Sequence, residues 1–302
     1  MIEKSNDLKN VGDGYTFIDL FAGIGGFHLA LHNLGAKCVF ISEFDKYARE
    51  TYKQNFKKID PELISSDRFG GDITKIDAKN IPDFNVLCAG FPCQPFSVAG
   101  YKKGFEDTRG TLFFDIARII EEKKPQAFIL ENVKGLLIHN NGRTLLRMKE
   151  VLESLGYSFF YKILKADDYG VPQNRQRLLM VGFRDKKIAF KFPKPFPLQT
   201  TMSDILGGNC TKTVGYTLRV GGRGSGMGDR RNWDTYLVDG KEVRLKPEHA
   251  LKMQGFPEDF YFPVSEAQAM KQLGNSVAIP MIQSVAEQVF ISLNKRNNDN
   301  SK

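Results

Sequence analysis

Cys93 stands between Pro92 and Gln94, just past the strand-like run Phe84-Asn85-Val86-Leu87-Cys88-Ala89. A cysteine fixed by a rigid proline where a strand opens into a Gly-containing loop is poorly placed for core packing. It is well placed as an exposed nucleophile at the carboxyl edge of a sheet, where ligands of open α/β folds bind. Glu131 directly follows the buried-strand pattern Ala127-Phe128-Ile129-Leu130 and should emerge at the same edge. Half screened from water, its carboxyl could act as an acid; a surface glutamate after a strand is the other reading. Gln173-Asn174-Arg175-Gln176-Arg177 spaces two guanidinium groups two residues apart. In a strand they face one side, to hold a phosphate or a base carbonyl, or simply line a solvated edge.

A second constellation is the turn Phe21-Ala22-Gly23-Ile24-Gly25-Gly26, which ends the apolar run Thr16–Phe21 and opens a helical stretch. That is the geometry of a nucleotide-binding turn, although His28 stands where a dinucleotide fingerprint needs its third glycine. Glu43 lies about 20 residues on, at the end of the next strand, where a carboxylate can accept from two ribose hydroxyls. Asp72 reaches the same pocket or caps a turn, and the turn reading is the stronger for the residue alone. His28 and His32 share a helix face without a visible third ligand, so no metal site is expected. Cys38 and Cys88 sit in apolar runs and read as inert core residues.

The elements that must position these groups alternate strand and helix through residue 183, which implies a doubly wound, mostly parallel α/β sheet covered on both faces. Helices are expected from Asp45 to Phe56, Thr111 to Glu122 and Arg143 to Leu155, and strands at Lys37–Ser42, Tyr157–Leu164 and Arg177–Phe183. The pattern changes at Lys191-Phe192-Pro193-Lys194-Pro195-Phe196-Pro197. Beyond it come the loop Gly221–Gly228 and a hairpin around Asp239-Gly240. The chain has 302 residues and a formal net charge of +8; 14 Lys and Arg against 7 Asp and Glu fall between Arg184 and Lys252. Such a concentrated excess suits a nucleic-acid footprint, or a solvated basic face. No uninterrupted apolar run has transmembrane length, and four cysteines without paired spacing fit a reducing compartment. The expected division is 1–190, then a small β-rich basic domain over 191–272, then 273–302 returning as a helix through Leu293 with a frayed polar tail.

Six ordered motifs together resemble the bacterial DNA (cytosine-5)-methyltransferases of restriction–modification systems. They are Phe17–Phe27, Gly90–Ser97, Glu131-Asn132-Val133, Gln173–Arg177, Arg244–Pro257 and Gly274-Asn275-Ser276-Val277. The resemblance implies the adenosylmethionine-dependent methyltransferase fold, with a target-recognition domain over 191–272. It implies transfer of a methyl group from S-adenosylmethionine to carbon-5 of an extruded cytosine, with Cys93, Glu131, Arg175 and Arg177 as catalytic residues and no metal. Phe21, Gly23, Gly25, Gly26, Glu43, Phe44, Asp72, Pro92, Leu112, Asn275, Ser276 and Val277 would hold the cofactor. Gln94, Ser97, Thr217, Arg219, Arg223, Arg230 and Arg231 would meet double-stranded DNA. A cytoplasmic monomer is expected, beside a restriction endonuclease acting on the same site. An RNA (cytosine-5)-methyltransferase of the same fold is the alternative.

Overall fold

The computed structural model describes residues 10–92 and 112–300, with side chains through Asn297. Cys93, Gln94 and Ser97 therefore lie outside the described residues. The chain runs β1 (Thr16–Leu20), α1 (Gly26–His32), β2 (Lys37–Ser42), α2 (Lys46–Phe56), α3 (Pro61–Ser65), β3 (Phe69–Gly70) and β4 (Val86–Gly90). It continues through α4 (Leu112–Lys123), β5 (Ala127–Val133), α5 (Arg143–Ser154), β6 (Phe160–Lys165) and β7 (Gln176–Phe183). Then come α6 (Met202–Leu206), β8 (Thr235–Val238), β9 (Lys241–Arg244), α7 (Pro247–Gln254), α8 (Glu266–Asn275) and α9 (Ile279–Asn300).

Seven strands form one sheet in the order β3-β2-β1-β4-β5-β7-β6. The pairings from β3 to β5 are parallel, and β7 is antiparallel to both β5 and β6. Alternation along the central strands divides the core. Phe17 and Ile129 point to one face with Leu31, Val285 and Phe290; Ile18 and Phe128 point to the other with Ile116, Ile120 and Met148. Both faces of β1, β4 and β5 are consequently buried, as a parallel sheet requires. The order reverses at β1, between β2 and β4, and the ends of these strands form the crevice where such sheets bind ligands.

Asp45 caps α2 by accepting from the backbone N–H groups of Tyr47 and Ala48, as its sequence position suggests. The hairpin β8–β9 turns at Asp239 and Gly240, with φ of 49° and 75°. Positive φ at both central residues is the turn whose twist matches a two-residue hairpin. Several elements depart from expectation: β5 runs past Leu130 to Val133, β6 covers Phe160–Lys165 in place of Tyr157–Leu164, and α8 is an additional helix. The final helix continues through Asn300 rather than fraying near Lys295. The segment 266–297 is apolar enough on average to match a membrane span, yet 61% of its apolar window is buried, with α9 packed on α1.

Candidate active site

The turn after β1 is built from strained backbone and close contacts. Phe21 adopts φ +56°, a left-handed value uncommon outside glycine, and Gly23 and Gly25 follow at +57° and +86°. A Cβ on Gly25 would lie 2.4 Å from the Phe56 ring, and one on Gly26 would lie 2.6 Å from Val277 Cγ2. Glycine is thus required at both positions, and Ser276 and Val277 close the turn from the far end of the chain. A Cβ on Gly23 would meet nothing within 4 Å, so that side of the turn is an open cradle.

Glu43 reaches this cradle from β2. Its carboxylate accepts from the Gly23 N–H at 2.7 Å and from the Asp45 N–H at 2.7 Å. Burial holds the Glu43 carboxyl above its ordinary range, against the pull of those N–H groups. Beside it, Phe44 is 77% exposed, an aromatic face without internal packing next to the turn. Asp72 is half-buried and caps a short 3-10 turn; the Thr74 hydroxyl and N–H hold its carboxyl below the usual range. The turn reading therefore describes its local role, although its neighbour Gly71 accepts from Ser42 Oγ at 2.8 Å beside Glu43. Asn275 is exposed, Pro92 is exposed, and Leu112 opens α4 half-buried. An open Gly turn with a buried carboxylate and an unpacked aromatic ring suits an adenosyl group.

Beneath the turn, Asp19 is fully buried in β1. Burial drives its carboxyl well above the ordinary value, opposed by the His28 N–H and reinforced by Glu43. His28 does not face solvent with His32 as a ligand pair would. It is buried, and its Nδ1 shares a 2.5 Å hydrogen bond with the Tyr52 hydroxyl. Among the described residues no cluster of three metal-ligating side chains occurs. Cys38, Cys88 and Cys210 are buried.

The second half of the site is at the ends of β4, β5 and β7. Gly90, three residues before Cys93, is in register with Glu131 on β5. Arg177 is opposite Val133, so its side chain shares a sheet face with Glu131, and its Nε lies 2.8 Å from Glu131 Oε1. Both side chains are about nine-tenths buried. Asn132, on the opposite face, donates from Nδ2 to the Phe91 carbonyl at 2.9 Å and so anchors the backbone entering Pro92-Cys93. Asn132 is visible in the sequence only as the middle of Glu131-Asn132-Val133; its role depends on a contact 41 positions away.

The structure separates the two arginines that strand parity would put together. β7 begins at Gln176, so Arg175 lies in the irregular stretch before it and turns inward, 1% exposed. Its guanidinium donates to the carbonyls of Leu218, Gly274 and Ser276. Burial pulls it down to about 9, with Arg177 adding repulsion. Gln173 and Gln254 complete this hub: Gln173 donates to the Met253 carbonyl and accepts from the Leu218 N–H, and Gln254 donates to the Leu273 carbonyl. Neither glutamine was distinguishable in the sequence from a surface amide.

The candidate DNA-contacting arginines also differ among themselves. Arg223 pairs with Glu266 and lies 3.7 Å from buried Asp234, and Arg231 grips Asp229 at 2.6 Å. Arg219 and Arg230 are exposed, and the Thr217 hydroxyl donates to the Asn174 carbonyl.

Residues 15–219 and 215–291 match the C-5 cytosine-specific DNA methylase family. The chain belongs to this family. It is 45% identical to the type II methyltransferase M.SsoII of Shigella sonnei, over 94% of this chain and 82% of that protein. It is 43% identical to the type II methyltransferase M.HhaI of Haemophilus parahaemolyticus, over 93% of this chain and 96% of that one. Its fold is shared with a mutant DNMT2 of Spodoptera frugiperda, at TM-score 0.69 and 19% identity over 92% of this chain and all of that chain. A putative DNA modification methyltransferase from an Escherichia coli prophage gives TM-score 0.68 at 19% identity, over 93% and 100%. The chain is a DNA (cytosine-5)-methyltransferase of the restriction–modification kind, and S-adenosylmethionine is its methyl donor. The expected methyltransferase fold is the observed one.

Proposed function

We propose that Cys93, Glu131 and Arg177 carry the reaction, and that Arg175 organises the site without touching the base. The observation that carries this reading is the Glu131–Arg177 pair, buried at the sheet edge where β4 leads into Cys93. A cytosine inside a duplex is out of reach, so the base must be extruded to this edge. The Cys93 thiolate adds to carbon-6 and pushes electron density to carbon-5, which becomes enamine-like and nucleophilic. Glu131 bonds the ring at nitrogen-3 and neutralises charge developing there, and Arg177 holds Glu131 and faces the base carbonyl. Adenosylmethionine, when bound, supplies an electrophilic methyl group. The cradle for it is Phe21, Gly23, Gly25, Gly26, Glu43 and Phe44, closed by Ser276 and Val277. Loss of the carbon-5 proton restores the aromatic ring and releases Cys93.

Residues 191–272 serve as the target-recognition region, and 273–302 complete the catalytic domain of 1–190. Support comes from the basic excess between Arg184 and Lys252, most of which falls in this segment, and from its exposed Arg219 and Arg230. The protein acts as a cytoplasmic monomer beside an endonuclease sharing its site; the type II designation of its relatives supports the second part.

The test is to incubate the protein with labelled adenosylmethionine and unmethylated genomic DNA, then map 5-methylcytosine. One short motif is the expected result; label confined to RNA overturns it. Cys93→Ser should abolish methylation while retaining cofactor and DNA binding, and full retained activity removes Cys93 from the mechanism.

A further inference from the structure

Gly221, Gly226 and Gly228 lack side chains for no internal reason. A Cβ at each would meet nothing within 4 Å, and none has a left-handed φ. Bare backbone of this kind suits the close approach of an external surface. The loop is nonetheless held from below by three consecutive buried residues. Trp233 donates from Nε1 to the Gly221 carbonyl at 2.9 Å. Asp234 accepts the Gly224 N–H at 3.1 Å, and the Thr235 hydroxyl donates to the Ser225 carbonyl at 3.4 Å.

Asp234 is the centre of this latch. Its side chain is 0% exposed, with Arg223 Nε at 3.7 Å and Arg244 Nε at 3.6 Å from Oδ2. A buried carboxylate persists only with such compensation, so the arrangement costs stability that a plain loop would not require. Arg223 is drawn inward by it and by Glu266, whereas Arg219 and Arg230 have no ion-pair partner among the described residues.

We propose that Asp234 is a positioning residue for sequence recognition: it fixes the Gly221–Ser225 backbone in the one shape that reads the target duplex. This rests on the recognition role of residues 191–272. A pre-shaped loop rejects a wrong sequence because it cannot adapt to it, and a loosened loop can. Release of Arg223 from Asp234 also frees a cation for phosphate contacts, which add affinity without sequence information.

The experiment uses the full chain and a duplex carrying the mapped site, beside duplexes with one base pair of that site changed. Asp234→Asn should lower the ratio of kcat/KM between correct and altered duplexes about tenfold, the scale of one lost base discrimination. Cofactor affinity and kcat at saturating correct duplex should stay within about twofold, a split that general loss of folding would not give. A folded Asp234→Asn protein with an unchanged ratio overturns the proposal. Should that variant not fold, Trp233→Phe decides, since it removes the Gly221 bond and trims the buried indole while leaving Asp234 in place: a ratio lowered about threefold supports the latch, and an unchanged ratio overturns it. Arg219→Ala and Arg230→Ala separate the two levels. If neither weakens DNA binding, the recognition reading fails and takes the latch with it; if they do while Asp234→Asn leaves the ratio alone, only the latch falls.

Discussion

Asn132 hydrogen-bonds the carbonyl of Phe91, tying the strand that carries Glu131 to the backbone two residues before Cys93. Glu131 and the end of β4 are thus registered twice, once by the Gly90–Glu131 pairing and once by this side chain. Asn132→Ala should lower kcat about 10- to 100-fold by loosening the approach of Cys93, the usual effect of a small misplacement in a reacting geometry. Single-turnover methylation measures it. Cofactor affinity, titrated calorimetrically, should not change.

The two arginines of Gln173–Arg177 should separate in mutagenesis. Arg175→Ala leaves the Leu218, Gly274 and Ser276 carbonyls without their buried donor and should cost about 3 kcal/mol or more of stability. Arg177→Ala should preserve the melting temperature far better, yet reduce kcat by about two orders of magnitude, since it frees Glu131 at the reacting edge. Equal effects on stability would contradict the separation.

How far the sequence carries is visible at these same positions. The Gly turn, the α2 cap and the Asp239-Gly240 hairpin are local matters, decided by turn chemistry and capping, and are legible; strand ends are less so, since β5 runs on through Glu131 to Val133 and β6 starts only at Phe160. Strand parity fails for Arg175 because it holds only inside a strand and β7 begins one residue later. Arg223 and Arg231 read as DNA contacts; in the structure Arg231 is paired with a near neighbour, and Arg223 with Glu266, 43 positions away. Helix α8 begins at a capping signal that the sequence contains, Ser265 accepting from the Gln268 N–H, but its short length gives it little periodicity.

Gly25→Ala should destabilise the protein by more than about 1 kcal/mol, because alanine resists φ +86° and its methyl meets the Phe56 ring. Adenosylmethionine binding should weaken with it, read by calorimetry. Gly23→Ala, with open space at its Cβ, should spare packing more and act through backbone strain and access to the cradle. The ratio of cofactor affinity loss to stability loss should be larger at Gly23.

His28 sets an acid limit. Burial lowers it to about 3 from 6.5, with His32 adding repulsion, so the folded protein keeps it neutral. Below pH 6.5 the unfolded chain binds a proton that the native state refuses. Stability is therefore full above that pH and falls as pH drops toward 3, by up to about 1.4 kcal/mol per unit. Chemical denaturation between pH 7 and pH 5 should show this slope. His28→Asn should be less stable at pH 7 and show a flatter dependence; an unaltered slope would exclude His28 as its source.

The contact of Gly26 with Ser276 and Val277 joins residues made early on the ribosome to residues made late. A nascent or prematurely ended chain that lacks the closing segment has the turn without its cover, and should not retain the methyl donor. By the time a molecule can be charged with donor, residues 191–272 have already been synthesised. An unfinished copy that binds no donor would mark no DNA, a consequence of the order of synthesis alone.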